Sequence, residues 1–134
     1  MDLAAAFNHL KTKLTDGAFV PSGTKVEPFP YEGDDPAIVY KLLANKNLSA
    51  FPRERVLSEP YIEVVYITSW DDVETAIEMA NDIETSLVGT GGVNDYGTVH
   101  DVIHHKEIFE PFRSKSGKQK VMVGAVYRMY PRGG

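Results

Sequence analysis

The sequence predicts an α+β fold: a largely antiparallel β-sheet with two helices packed against it and a long C-terminal β-hairpin. Residues 61–68 carry the strongest strand signal of the chain, and an amphipathic helical pattern follows directly at 71–87. Apolar side chains alternate along residues 120–130, which is typical of a strand with one buried face. Because 134 residues correspond to about one average domain, we expect a single domain over residues 1–134.

The composition excludes several classes of protein. Hydrophobic residues make up 43% of the chain and charged residues 25%, which argues against a disordered or fibrous protein. No apolar run approaches the roughly 20 residues of a spanning helix, so we expect a cytosolic chain that starts at Met1 and binds no membrane. The absence of cysteine excludes disulfides, thiolate metal sites and cysteine nucleophiles.

The N-terminal segment predicts an amphipathic helix that Asp2 can cap. Its apolar face repeats at steps of three and four residues and consists of Leu3, Phe7, Leu10 and Leu14. Asp16-Gly17 ends this helix. The prolines and glycines of residues 18–35 then favour an irregular, mobile arm, with regular pairing only at 24–27.

Extended segments follow the arm. Pro36 opens a β-rich segment at 37–43, and residues 53–58 form a weaker strand candidate. Pro60 separates this candidate from the strand at 61–68, which we expect in the centre of the sheet.

The second helix is the clearest of the sequence. Ser69 and Asp72 resemble a capping box, with Asp in place of the usual Glu or Gln. The predicted apolar stripe consists of Val73, Ala76, Ile77, Ala80, Ile83 and Leu87. The glycine-rich residues 89–92 end the helix, and residues 94–97 extend the loop.

A long β-hairpin completes the chain. Its second arm is the alternating segment 120–130, and residues 114–118 form the turn. The first arm, residues 98–112, shows no clean alternation, so we expect a bulge or a switch of sheet face near His104-His105. A short helix at that place is the alternative.

Three histidines are the best candidates for a metal site, because imidazole is a common ligand. On a strand His100 and His104 would share a face while His105 points away, and no His-Glu-x-x-His pattern is present. The chain also lacks a P-loop and a Gly-x-Ser-x-Gly elbow. We therefore assign no catalytic residue, metal or cofactor and expect a protein that is not an enzyme. The alternative is a small cytosolic metal-binding protein or enzyme built around these histidines.

Charge is distributed unevenly along the chain. Residues 1–105 have a net charge of −10 and residues 106–134 a net charge of +5. The second helix has acidic residues and no basic ones, so the basic hairpin of one copy can meet the acidic helix of the next. Glu84 lies close to the apolar stripe and is either salt-bridged at an interface or exposed at its edge. The predicted contact residues are Glu78, Asp82, Glu84, Phe112, Arg113, Lys115, Lys118 and Arg128.

The order of these elements resembles a known family, the small tail-completion proteins of long-tailed bacteriophages, which include tail terminators and tail-to-head joining proteins. The resemblance rests on the N-terminal helix, the segment 36–40, the strand 61–68 with the helix 71–87 directly after it, and the hairpin that closes on 126–130. It covers most of the chain from about Pro36 onward.

The resemblance implies a ring, usually of six subunits, that caps the tail tube and joins it to the head connector. Its partners would be other copies of the chain, the tail tube protein and the connector, with DNA passing through the lumen without sequence-specific binding. The protein would be assembled in the host cytoplasm and reside in the neck of the virion. The arm at 18–35 and the hairpin tip at 113–118 are the expected contacts between rings. A head-completion protein of the connector is the alternative within the same class.

Overall fold

The computed structural model describes residues 2–15, 20–21, 23–47 and 58–133. Within this part of the chain lie two helices, a short 3-10 turn and six strands. In chain order they are α1 (Asp2–Leu14), β1 (Val26–Pro28), β2 (Ala37–Asn47), β3 (Ser58–Ser69), the 3-10 turn (Trp70–Asp72), α2 (Val73–Leu87), β4 (Gly92–Asn94), β5 (Gly97–Arg113) and β6 (Gln119–Gly133).

The six strands form one sheet in the order β1-β2-β3-β6-β5-β4. β1 pairs with β2 in parallel, and every other neighbouring pair is antiparallel. The strand predicted in the centre of the sheet is β3, which lies between β2 and β6. Both helices pack against the sheet, so the predicted α+β architecture is confirmed.

The main core lies between the helices and one face of the sheet. The predicted apolar face of α1 contributes Leu10 and Leu14, which are fully buried, and Phe7, which is partly buried. One face of β6 alternates into this core as predicted, with Val121, Val123, Ala125, Tyr127 and Met129. Burial of these side chains fixes which face of the sheet the helices cover.

The start of α2 differs from the prediction. Ser69 does cap the turn, since its Oγ accepts a hydrogen bond from the N–H of Asp71 at 3.4 Å. Asp72 makes no side-chain capping bond, so the expected capping box is wrong. The cause is the 3-10 turn at Trp70–Asp72, which moves the first α-helical residue to Val73 and changes the spacing on which the box depends.

The predicted apolar stripe of α2 is correct except at Ile77, whose side chain is 43% exposed. Ser86 faces inward in addition, and its hydroxyl donates a hydrogen bond to the carbonyl oxygen of Lys13 at 3.0 Å. The buried side of the helix is therefore rotated toward α1, where a small polar side chain is satisfied by the end of the neighbouring helix.

β5 is a single strand with two irregularities in its register with β6, one between Val99 and Val102 and one between His104 and Lys106. The second confirms the bulge predicted near His104-His105, and the alternative of a short helix is wrong. The first was not predicted. Upstream, β4 forms a short hairpin with the start of β5, in a segment that the sequence predicts only as a loop.

Pro60 does not separate two strands. It lies inside β3, opposite Asn45 of β2. The ladder between β3 and β6 begins only at Tyr61, so Pro60 has a neighbouring strand on one side and its missing N–H is tolerated. The weaker strand candidate at 53–58 lies outside the described residues except at Ser58, the first residue of β3.

The face of the sheet opposite the helices, called here the helix-free face, carries a second, smaller apolar cluster. Its buried members are Ala37, Val39, Val65 and Ile67. Tyr31 of the arm packs against this cluster, together with Phe112 and Met122 of the hairpin. The predicted arm is irregular except at β1, close to the predicted pairing at 24–27, and it crosses this face.

Candidate assembly surfaces

The sheet has an incompletely paired edge on each side. β4 pairs with β5 only at Gly97–Val99, so residues 100–113 of β5 have no described strand on their outer side. At the opposite edge β1 pairs with β2 only from Ile38 to Tyr40, which leaves residues 41–47 of β2 equally unpaired within the described part of the chain. An exposed row of backbone N–H and C=O groups is a template for pairing with another chain.

The outer edge of β5 carries apolar side chains. Phe109 is 53% exposed, and its ring meets that of Trp70 edge-on, with 6.2 Å between the ring centroids. Ile77 of α2 is exposed close to Phe109 on the helix side of the sheet. Ile103 is exposed on the opposite, helix-free face, since it pairs with Arg128 of β6. Exposed aromatic side chains of this kind, grouped at one edge, are typical of protein contact surfaces.

The outer edge of β2 carries a matching group. Leu43 is 46% exposed, and Leu42 and Phe29 are exposed beside it. The ammonium group of Lys41 lies 4.4 Å from the centroid of the Phe29 ring and 3.6 Å from Oε2 of Glu63. This edge thus presents apolar side chains next to Lys41, which is already paired within the chain.

The acidic residues predicted for contact lie on α2. Glu78 and Asp82 are exposed, as expected of the outer face of the helix. Glu84 has a partner within the chain, since its Oε1 lies 3.5 Å from Nε2 of His104 on β5. Burial, and to a smaller extent the charge of Glu84, raises the pKa of the nearby Tyr127 hydroxyl, which therefore stays protonated.

The three histidines do not converge. His104 contacts the ring of Tyr127 on the helix side of the sheet, whereas His105 meets Tyr61 edge-on on the other side. Two residues, His100 and Asp101, lie between the buried Val99 and Val102, so the alternation that would place His100 and His104 on one face is interrupted. Among the described residues, no group of three or more histidine or carboxylate side chains is placed to hold a metal ion.

The basic residues predicted for contact lie at the hairpin tip and already have partners within the chain. Lys115 forms an ion pair with Glu32, and Nζ of Lys118 lies 3.6 Å from Oδ2 of Asp34. The guanidinium of Arg113 donates to the carbonyl oxygen of Gly117 at 3.4 Å. The arm and the hairpin tip, predicted separately as contact segments, therefore form one surface.

The last two predicted contact residues lie elsewhere on the helix-free face. Phe112 is partly buried in the small apolar cluster. Arg128 donates a hydrogen bond to the hydroxyl of Tyr130 and stacks on its ring, 5.1 Å from the centroid. Sequence reasoning missed Trp70, Phe109 and Lys120, because nothing in their local pattern shows which distant segment they meet.

A comparison with known protein families and with curated proteins finds no family and no relative that matches this chain. Neither of the described helices is long and apolar enough to span a membrane.

Proposed function

We propose that this protein is a virion structural protein of a long-tailed bacteriophage, a tail-completion protein of the terminator type that forms a ring. The proposal is supported by the order of elements, which resembles that family, and by the α+β architecture. The observation that carries it is the pair of open sheet edges on β5 and β2, each of which has exposed apolar side chains.

The two edges differ from each other, so an association that joins them is head-to-tail. In such a contact the β5 edge of one copy, with Phe109 and Ile103, meets the β2 edge of the next, with Leu42 and Leu43. Head-to-tail contacts close into a ring when the rotation between copies allows it and otherwise grow into a filament. Closure also pairs both free edges, which in a monomer are open to unspecific pairing with other chains.

In the assembled neck, the ring sits on the tail tube protein and offers its other side to the head connector. DNA passes through the lumen without sequence-specific binding, and an acidic lumen would repel rather than trap its phosphates. The ring assembles in the host cytoplasm, uses no cofactor and catalyses no reaction.

Native mass spectrometry at several protein concentrations tests the ring. The expected result is a discrete, metal-free assembly near six subunits for the unmodified chain. Phe109→Lys on the β5 edge and Leu42→Lys on the β2 edge should each shift the population to monomers, because every contact uses one edge of each kind. Thr75→Lys is the matched control, since Thr75 is an exposed residue of α2 and lies on neither edge.

Two results would contradict the proposal. If either edge variant assembles as well as the control, the ring is not built from these edges. If the chain is monomeric and retains one metal ion per subunit, the histidine segment becomes the better explanation. A head-completion protein is distinguished by its partner: it would bind the connector and leave tail tubes uncapped.

A further inference from the structure

A strap formed by residues 29–36 crosses the helix-free face of the sheet. Its two ends are fixed by neighbouring strands: the N–H of Phe29 donates to the carbonyl oxygen of Tyr40 at 2.9 Å, and Ala37 begins β2. In its middle the Tyr31 ring packs on the small apolar cluster, and the Tyr31 hydroxyl donates to the carbonyl oxygen of Asp35 at 2.8 Å. The strap is thus a short bridge with anchored ends.

Lys120 is the central attachment of the strap. Its side chain is only 5% exposed, and its Nζ donates to the carbonyl oxygens of Gly33 at 3.3 Å and Asp34 at 3.1 Å. Oδ1 of Asp34 lies 3.7 Å from the same nitrogen. A buried ammonium group is unfavourable unless it is paired and hydrogen-bonded, and in this chain the strap supplies those acceptors.

Three further contacts of the strap lie outside, exposed to solvent. The side chain of Lys115 is 83% exposed and pairs with Glu32, while the pair between Lys118 and Asp34 is also mostly exposed. The hydroxyl of Ser116 donates to Oδ1 of Asp34 at 3.4 Å. Exposed ion pairs contribute little and are screened by salt, so these contacts hold the strap more weakly than Lys120 does.

The strap does not fill the face that it crosses. A groove of about 500 Å³ remains between the strap and the sheet. The sheet side of the groove is mostly apolar, with Val39, Val65, Ile67, Phe112 and Met122, and the charged side chains of Lys41, Glu63 and Glu110 also line it. Protein interiors contain few voids of this size, so the strap covers the groove as a bridge rather than packing into it as core.

We propose that the strap is a lid that opens over this apolar groove, with Lys120 as its latch and the pairs of Lys115 and Lys118 as a weaker outer fastening. The lid moves about its two anchored ends while the sheet stays folded. This inference does not depend on ring assembly, because every contact that carries it lies within one chain.

Native-state cleavage by chymotrypsin after Tyr31 measures opening of the lid, because the half-buried Tyr31 must leave the cluster before a protease can bind it. Lys120→Met replaces the latch with an uncharged side chain of similar length. It should raise the rate of cleavage after Tyr31 about tenfold or more. The matched control is Lys118→Met, which removes an exposed contact to the same Asp34 and should change the rate less than about fivefold. Raising the salt concentration to about 0.5 M should weaken only the outer ion pairs. The unmodified chain, which keeps Lys120, should therefore remain largely uncut after Tyr31.

A second measurement needs no variant. A carbodiimide joins the contacting Glu32 carboxylate and Lys115 ammonium as an amide, and the carbodiimide takes up the water that is lost. In the cross-linked chain, cleavage after Tyr31 should be strongly suppressed, and mass spectrometry identifies the joined peptides.

Three outcomes would overturn the lid. The first is a Lys120→Met chain that is cut no faster than the unmodified one. The second is cleavage after Tyr31 that rises only together with cleavage after the fully buried Tyr127, since that pattern reports global unfolding. The third is a cross-linked chain that is cut at the unmodified rate.

Discussion

At the scale of single residues, burial decides the chemistry of His9. The side chain is 7% exposed, and its Nε2 lies 3.0 Å from Oγ1 of Thr90. Because the Thr90 hydroxyl donates its hydrogen to the carbonyl oxygen of Leu87 at 2.6 Å, it accepts the bond from His9. Burial, and then the charge of Lys13, lowers the pKa of His9 below its ordinary value of 6.5, so the native chain holds a neutral imidazole.

This lowered pKa predicts a pH dependence of stability. Below 6.5 the unfolded chain binds a proton at His9 that the native chain does not bind until its own lower pKa is reached. The free energy of unfolding should therefore fall as the pH drops from about 7 to about 5. This fall adds to the decrease that protonation of carboxylates causes over the same range. Replacing the imidazole with an uncharged amide, His9→Gln, should make that fall smaller in urea titrations at the two pH values. An equal fall in both chains would contradict the assignment.

At the scale of elements, the rotation of α2 about its own axis depends on the elements against which the helix packs. Ile77 and Ile83 belong to the same predicted stripe, yet Ile83 is fully buried and Ile77 lies on the exposed side next to β5. A stripe of this width can be rotated by a fraction of a turn without changing its periodicity. Contact with α1, through Ser86 and Lys13, selects the rotation that is observed.

The two isoleucines form a matched pair for a stability test. Ile83→Ala leaves a cavity in the main core and should lower the free energy of unfolding by about 2–5 kcal/mol. Ile77→Ala removes a partly solvated side chain and should lower it by less than about 1 kcal/mol. Chemical denaturation of both variants checks the difference. Similar losses would mean that Ile77 is part of the core in solution.

At the scale of the whole molecule, charge separates the acidic α2 from the basic hairpin tip. The fold places the carboxylates of Glu32 and Asp34 against the lysines of that tip, so much of the positive charge is matched within the chain. The carboxylates of Glu78 and Asp82 stay exposed. A contact between the hairpin of one copy and the helix of the next must therefore compete with the strap for Lys115 and Lys118.

A charge exchange tests that contact. The double variant Lys115→Glu/Lys118→Glu should weaken assembly at low salt, because it places like charges opposite α2 of the next copy. Adding Glu78→Lys/Asp82→Lys to the same chain should restore it. Assembly is followed by sedimentation at several salt concentrations. If the first double variant assembles like the unmodified chain, the hairpin does not bind the acidic helix.

The features that the sequence predicted correctly depend on local spacing. The burial of Leu10 and Leu14 follows from a repeat of four residues, and the buried face of β6 follows from a repeat of two. The bulge near His104-His105 was readable because the alternation fails there. Ring assembly and the contact residues remain predictions, since one copy of the chain does not show what binds its edges.

By itself the sequence determined the α+β class, the extent of both helices within a few residues, the burial of Leu10 and Leu14 in α1 and the buried face of β6, because these depend on side chains that are close together along the chain. Only the tertiary structure decided which edges of the sheet stay open, that Trp70 meets Phe109 and that Lys120 holds the strap. These are contacts between segments far apart in sequence: Lys120 and Asp34 are separated by 86 positions. No local periodicity encodes such a pairing, since it depends on how the strands are ordered in the sheet.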